Sequence, residues 1–219
     1  MVAATTKPAF VTFTGIDDAA LVKGMVELSH RYPIEWGVLI DREQAGSPLF
    51  PAAQQIDRFR SAGVRLCAHI CGIYAQEIAQ GHSPGLNLAG FSRIQVNHGR
   101  EGADEHVVDA VSRYAAQQGV RGVLQCKGPF PTAQTSVDWL YDVSFGEGVR
   151  PESFPPISSQ HPFCGISGGI GPNNVDQLIS ERIELSGDYL YWLDMESGVR
   201  TEGAFDLSKC RAVCEAVYG

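Results

Sequence analysis

The stretch CGISGGIGPNN, residues 164–174, gathers four glycines within seven residues, between a short apolar run and an amphipathic one, NNVDQLISERIEL. A buried strand that ends in a glycine-rich turn and then feeds a helical pattern is one β–α unit. Outward from this point the same unit recurs along the chain. Apolar or β-branched runs at 9–15, 34–40, 64–70, 91–97, 122–127, 137–144, 163–170 and 188–196 read as eight strands. Helical spacing follows at 17–32, 51–63, 74–81 and 103–119, and again after the seventh and eighth strands. Asp17 or Asp18 supplies the N-cap of the first helix, and Val107, Val111 and Tyr114 share one stripe of the fourth.

Strands that alternate with helices pair in parallel through right-handed crossovers. Eight such units favour closure over an open sheet. The expectation is therefore an α/β chain folded as one (β/α)8 TIM barrel, eight-stranded and parallel, with residues 1–219 forming a single domain. The longest segment without a pattern is FGEGVRPESFPPISSQHP, residues 145–162, a length typical of functional lids.

Composition narrows the class. A hydrophobic content of 44% over 219 residues suffices for a continuous core. No window has the uninterrupted apolar length of a membrane span. The start, MVAATTKPAF, has one lysine and no apolar centre, so no signal peptide is expected. The formal net charge of −8 comes without any lysine and arginine cluster, which argues against a nucleic-acid partner. An anion must then be held by local geometry rather than by a global field. The six cysteines include no C-x-x-C, and Cys67, Cys71, Cys126 and Cys164 lie in or beside apolar segments. Cys210 and Cys214 stack on one helical face. Buried free thiols and a reducing cytoplasm fit this pattern better than disulfides or zinc. Neither a metal nor a cofactor is expected, and the oligomeric state is open.

In a barrel of this kind the chemistry lies at the C-terminal strand ends. In chain order these ends carry Thr14, Asp41 and Arg42, His69 and Cys71, Asn97 and His98, Lys127, Asp142 and Ser144, Ser167 with Gly168 and Gly169, and Glu196 with Ser197 and Gly198. Gly168 and Gly169 allow the backbone to turn successive N–H groups toward one point. The helix that follows adds unpaired N–H groups and the positive end of its dipole. Ser197 and Gly198 after the eighth strand, with Gly203 further on, complete a phosphate cradle at the place where such barrels hold phosphate. The partner this implies is a small phosphorylated substrate. His69, Cys71 and His98 form a metal trio on paper, but a polar-tipped barrel interior is the commoner arrangement. Lys127 is an anion holder or, if buried, a Schiff-base former.

These motifs carry a family resemblance. ISGGIGPNNV (166–175) is similar to the A-G-G-L-x-P-x-N-V stretch of phosphoribosylanthranilate isomerases, and LDMESGVRTEG (193–203) resembles their V-D-x-S-S-G-V-E-x-x-x-G. IQVNHG (94–99), WLYDVSFGEG (139–148) and VTFTGI (11–16) match further family segments in order. The resemblance implies an Amadori rearrangement of a phosphorylated aminoaldose to an aminoketose, an intramolecular oxidoreduction. It assigns the general acid to Asp142, the phosphate to Gly168, Gly169, Ser197 and Gly198, and a substrate carboxylate to Arg42. Asn97 and His98 compete for one inward position, because QVNHG is a residue longer than the family's Q-L-H-G. The sequence departs from the family at the general base. Thr14 stands where the family has its catalytic cysteine, Thr12 stands in place of the lysine before it, and Glu196 replaces the first serine of the strand-eight pair. A threonine hydroxyl has no thiolate-like form near neutral pH. The expected function is a sugar-phosphate isomerase with a divergent substrate or mechanism. The alternatives are a non-catalytic phosphate-ligand-binding descendant, or a Schiff-base lyase using Lys127.

Overall fold

In the computed structural model, eight parallel strands pair in sequence order and the eighth closes onto the first. Residues 7–99, 103–143, 148–186 and 189–219 are described. Residues 1–6, on which the leader reading partly rests, and Ser144 with the first positions of the long loop lie outside them. The strands are β1 (Phe10–Thr14), β2 (Ile34–Ile40), β3 (Leu66–Ile70), β4 (Arg93–Val96), β5 (Arg121–Cys126), β6 (Asp138–Tyr141), β7 (Cys164–Ile166) and β8 (Tyr191–Met195). Around them lie α1 (Val22–Ser29), α2 (Ala53–Arg60), α3 (Gly72–Ala79), α4 (Glu105–Gln117), α5 (Val175–Ser186) and α6 (Leu207–Tyr218). Among the described residues, no helix is long and apolar enough to cross a membrane.

The strands are buried on both faces, which is why they read as near-continuous apolar runs. Phe13 and Trp36 tilt together at 5.7 Å, and the Trp36 indole donates to Ser29 on α1. The first helical pattern begins as a 3-10 turn, Ala19–Leu21, and Asp18 caps it by accepting from the Ala20 N–H. Asp104 caps α4 in the same way through the Val107 N–H.

Two connections differ from the regular β–α repeat. Among the described residues, no helix stands between β5 and β6 or between β6 and β7. Loop aromatics cover the outer wall there instead. Phe130 and Phe154 meet the Tyr141 ring edge-on at 6.3 and 6.1 Å, and the Tyr141 hydroxyl donates to the Ser153 carbonyl. Much of the expected lid is thus anchored against β6, with Phe154 and Ile157 buried. The strand expected at 163–170 ends at Ile166, because Gly168 and Gly169 take positive φ and break the extended path. A small hairpin, β9 (Arg200–Thr201) and β10 (Ala204–Phe205), follows β8. Glu202 and Gly203 form its turn, both at positive φ, so Gly203 serves the hairpin and not the cradle.

A charged network crosses the barrel interior below the mouth. Glu35 is fully buried, receives Arg93 at 2.6 Å and Arg65 at 2.9 Å, and accepts from Thr12. Arg93 also lies 3.8 Å from Asp138, which Arg121 holds at 2.8 Å. The Arg93 guanidinium lies against both the Phe10 and Trp192 rings, at 4.9 and 4.3 Å from their centroids. Burial alone raises the Glu35 carboxyl, but Arg93 and Arg65 outweigh it and hold the group below its ordinary range. Gly165, the first glycine of the opening stretch, leaves room for the Trp192 indole, because a Cβ there would lie 2.1 Å from a ring atom. Removing one partner of a buried ion pair strands the other charge. Glu35→Ala is therefore expected to lower unfolding stability by about 3–5 kcal/mol in urea titration.

Candidate active site

The inward side chains at the C-terminal strand ends enclose a cavity of about 490 Å³. Its floor is polar. Thr14 at the end of β1 donates to Asp194 on β8 at 2.9 Å, and its oxygen lies 3.5 Å from His69 Nε2 on β3. The next strands supply Gln95, Asn97, Gln125 and Asp142. Gln125 donates to Asp142 at 2.9 Å, Gln95 donates to Asn97 at 3.0 Å, and Asn97 donates to the Cys71 sulfur at 3.4 Å. One wall is apolar, formed by Leu39, Leu49 and Phe50.

Burial sets the charge state of this floor. Desolvation pushes the Asp194 carboxyl up to about 8, and the Thr14 hydrogen bond only partly opposes it. The same cause lowers His69 to about 4. Asp194 and His69, 3.8 Å apart, are thus a neutral pair at pH 7 and not an ion pair. Burial also raises the Cys71 thiol to about 11, which removes it as a thiolate near neutrality. At the rim the Glu196 carboxyl is raised by burial, with Arg200 opposing and Asp142 adding to the rise.

The glycine-rich loops meet at the mouth. Gly168, Gly169 and Ser197 line the cavity, while Gly198 lines an adjoining recess together with Gly169, Gly171 and Lys209. Gly198 packs directly on the β7 loop, where a Cβ would fall 1.9 Å from the Ile170 carbonyl oxygen. Asn174 locks the turn from both sides, accepting from the Gly171 N–H and donating to the Gly169 carbonyl at 2.8 Å. Among the described residues, the N–H groups of Gly168, Gly169, Ser197 and Gly198 find no protein acceptor. The loop after β6 crosses close by, its Val149 and Gly148 carbonyls each 2.8 Å from where Cβ atoms on Gly168 and Gly169 would stand.

The structure thus brings together Thr14, Asp142, Gly168, Gly169 and Ser197 around one space, with Gly198 behind them. It sets the other three expected residues apart. Arg42 lies over the Tyr74 ring at 4.5 Å and pairs with Glu77 on α3 at 3.1 Å. Of the two competitors just after β4, Asn97 lines the cavity, whereas His98 borders a separate recess with Asp104 and His106. Lys127 is not among the lining residues. Among the described residues, no group of three or more His, Cys, Asp or Glu side chains is arranged to hold a metal ion. Sequence reading missed Asp194, Gln95 and Gln125. Alternation along β4, β5 and β8 places all three inward, and a polar residue at an inward strand position is the signal that finds them.

The Asp194 shift has a measurable consequence. An unfolded aspartate ionises near 4. In the folded chain Asp194 keeps its proton to about 8, so stability falls as pH rises between those values. In Asp194→Asn, whose amide oxygen still accepts from Thr14, the decline in melting temperature from pH 5 to pH 8 is expected to be shallower than in the wild type.

Comparison with known proteins agrees with this architecture. The family model for N-(5'phosphoribosyl)anthranilate (PRA) isomerase matches residues 87–216, leaving β1, β2 and β3 unmatched. A comparison with curated protein sequences finds no match. Among solved structures, the phosphoribosyl anthranilate isomerase of Thermus thermophilus aligns at TM-score 0.58 and 17% identity, over 94% of this chain and 96% of that one. The N-(5'-phosphoribosyl)anthranilate isomerase of Pyrococcus furiosus aligns at TM-score 0.61 and 14% identity, over 95% and 98%. The 3-hexulose-6-phosphate synthase of Salmonella typhimurium aligns at 0.53 and 12%, over 95% and 97%. At such identities these likenesses speak to the fold alone. The family model itself covers more than half of the chain, from before β4 to within α6, and on that ground the chain belongs to the N-(5'phosphoribosyl)anthranilate (PRA) isomerase family.

Proposed function

We propose that this barrel isomerises a phosphorylated, N-substituted aminoaldose to the corresponding aminoketose. The observation that carries the reading is the joining of a carboxyl group, Asp142, and unpartnered backbone N–H groups around one open cavity. The N–H groups of Gly168, Gly169, Ser197 and Gly198 bind the phosphate, as oriented amides at a strand–helix junction do. Among the described residues, no Lys or Arg side chain lines the main cavity, so the backbone carries this recognition, and Lys209 lines the adjoining recess. The apolar wall of Leu39, Leu49 and Phe50 takes the substituent on nitrogen. Arg42 is tied to Glu77, which favours a substituent other than a carboxylate held by that arginine.

Asp142 gives its proton to the ring oxygen as the C1–O bond breaks and the nitrogen lone pair forms C1=N. Gln125 fixes the carboxyl by donating to Oδ2. Loss of the C2 proton then yields an enaminol, and its tautomerisation gives the ketone. General acid catalysis of this kind contributes about 10²–10⁴-fold.

Conversion of N-substituted 5-phosphoribosylamines is followed by NMR, and Asp142→Asn is expected to slow it by about 10²-fold or more. Ribose 5-phosphate is expected to shift the amide signals of Gly168, Gly169, Ser197 and Gly198. Amides that stay still overturn the cradle. Amides that respond while every amine remains unconverted reduce the protein to a phosphate-ligand receptor.

A further inference from the structure

Proton removal at C2 needs a base, and the residues around the cavity narrow the choice. The Thr14 hydroxyl is committed as a donor to Asp194. Asp194 carries a proton at neutral pH, His69 is a weak base at about 4, and the Cys71 thiol is held protonated. Asp142 is needed as the acid. Glu196 remains.

We propose that the Glu196 carboxylate is the general base of this barrel, acting from the strand-eight loop on the proton that the family removes from the end of β1. This rests on the isomerase reading above. Three features of its surroundings support it. Glu196 lines the same cavity as Asp142 and Thr14 and is half-buried there. Its side chain leans over the end of β1, with Cγ 3.5 Å from the point a Cβ on Gly15 would occupy, and Gly15 directly follows Thr14. Among the described residues, its carboxyl group makes no hydrogen bond or ion pair, whereas Asp142 accepts from Gln125 and Asp194 accepts from Thr14.

The backbone that presents Glu196 is firmly held. Its carbonyl accepts from the Val199 N–H at 3.2 Å. Arg200 ties the loop after β8 to the loop after β1 through the Gly15 carbonyl at 2.8 Å and Asp17 at 2.6 Å. Burial raises the Glu196 carboxyl and Arg200 opposes the rise. The Asp142 charge adds to it once Asp142 has given up its proton, so the ionised Glu196 is a stronger base than an ordinary glutamate. As the C2–H bond breaks, the proton goes to Glu196 and the electron pair forms C1=C2, while the C=N pair returns to nitrogen. Asp142 has by then given its proton to the ring oxygen. Exchange with solvent through the open mouth restores both carboxyls.

The test compares wild type, Glu196→Gln and Glu196→Asp for turnover of N-substituted 5-phosphoribosylamines. Glu196→Gln is expected to cut kcat by about 10²-fold or more with KM changed by less than about threefold. Its amide shifts with ribose 5-phosphate should match those of the wild type. Glu196→Asp is expected to recover part of the loss. In the wild type kcat/KM rises with pH through a midpoint above the ordinary glutamate range, and that limb is expected to vanish in Glu196→Gln. An active wild type whose Glu196→Gln variant stays within about fivefold, or keeps the limb, overturns the role of Glu196 and leaves the isomerase reading standing. A wild type inactive on every such amine overturns the isomerase reading, and the base with it.

Discussion

The buried pairing of Glu35 with Arg93 is the constraint on which the remaining geometry depends. Burying a charge is tolerable only when it is paired and hydrogen-bonded. Glu35 on β2 has two arginines and Thr12, and Arg93 on β4 has Glu35, Asp138 and two aromatic faces. A shift of either strand by one residue would turn its charged side chain outward into the helix layer and leave its partner unpaired inside. The network thus pins the register of β1, β2, β4, β5 and β6. It also fills the lower barrel together with Phe10, Leu140 and Trp192, so the space above it opens toward the C-terminal strand ends.

That register determines which groups meet in the layer above. Thr14 pairs in register with Gly37, which lacks the Cβ that would otherwise fall 2.4 Å from the Thr14 oxygen and 3.0 Å from His69. The Thr14–Asp194–His69 cluster fits because of this vacancy. It is neutral at physiological pH, so the floor beneath a substrate carries no charge, and the ionisable groups stand higher, at Asp142 and Glu196.

The family match also divides along the chain. It covers β4 through most of α6, where Asp142 and both glycine loops lie, and leaves the first three strands unmatched. Thr14, where the resemblance would have a cysteine, and Arg42, turned onto α3, lie in that unmatched part, whereas Glu196 departs from the family pattern within the matched part. The phosphate recognition proposed above runs through backbone amides and depends little on side chains, so it can persist while other residues of the site are replaced.

The sequence by itself determined the repeating β–α pattern, the number of strands and hence closure, and the glycine-rich junctions after strands seven and eight. Each of these is local, readable from periodicity and turn chemistry. It also placed Asp142 and Thr14 at strand ends. Tertiary structure decided what local pattern cannot specify. It chose Asn97 over His98 as the inward residue and paired Arg42 with Glu77. It gave Gly165 the task of admitting Trp192 and made Gly203 part of a hairpin turn. It also buried Asp194 beside Thr14, and it set Glu196 over the end of β1. The reason is physical. Periodicity fixes which face of a strand a residue occupies, but the neighbours across a barrel, and with them hydration and charge, exist only once the sheet has closed in one register.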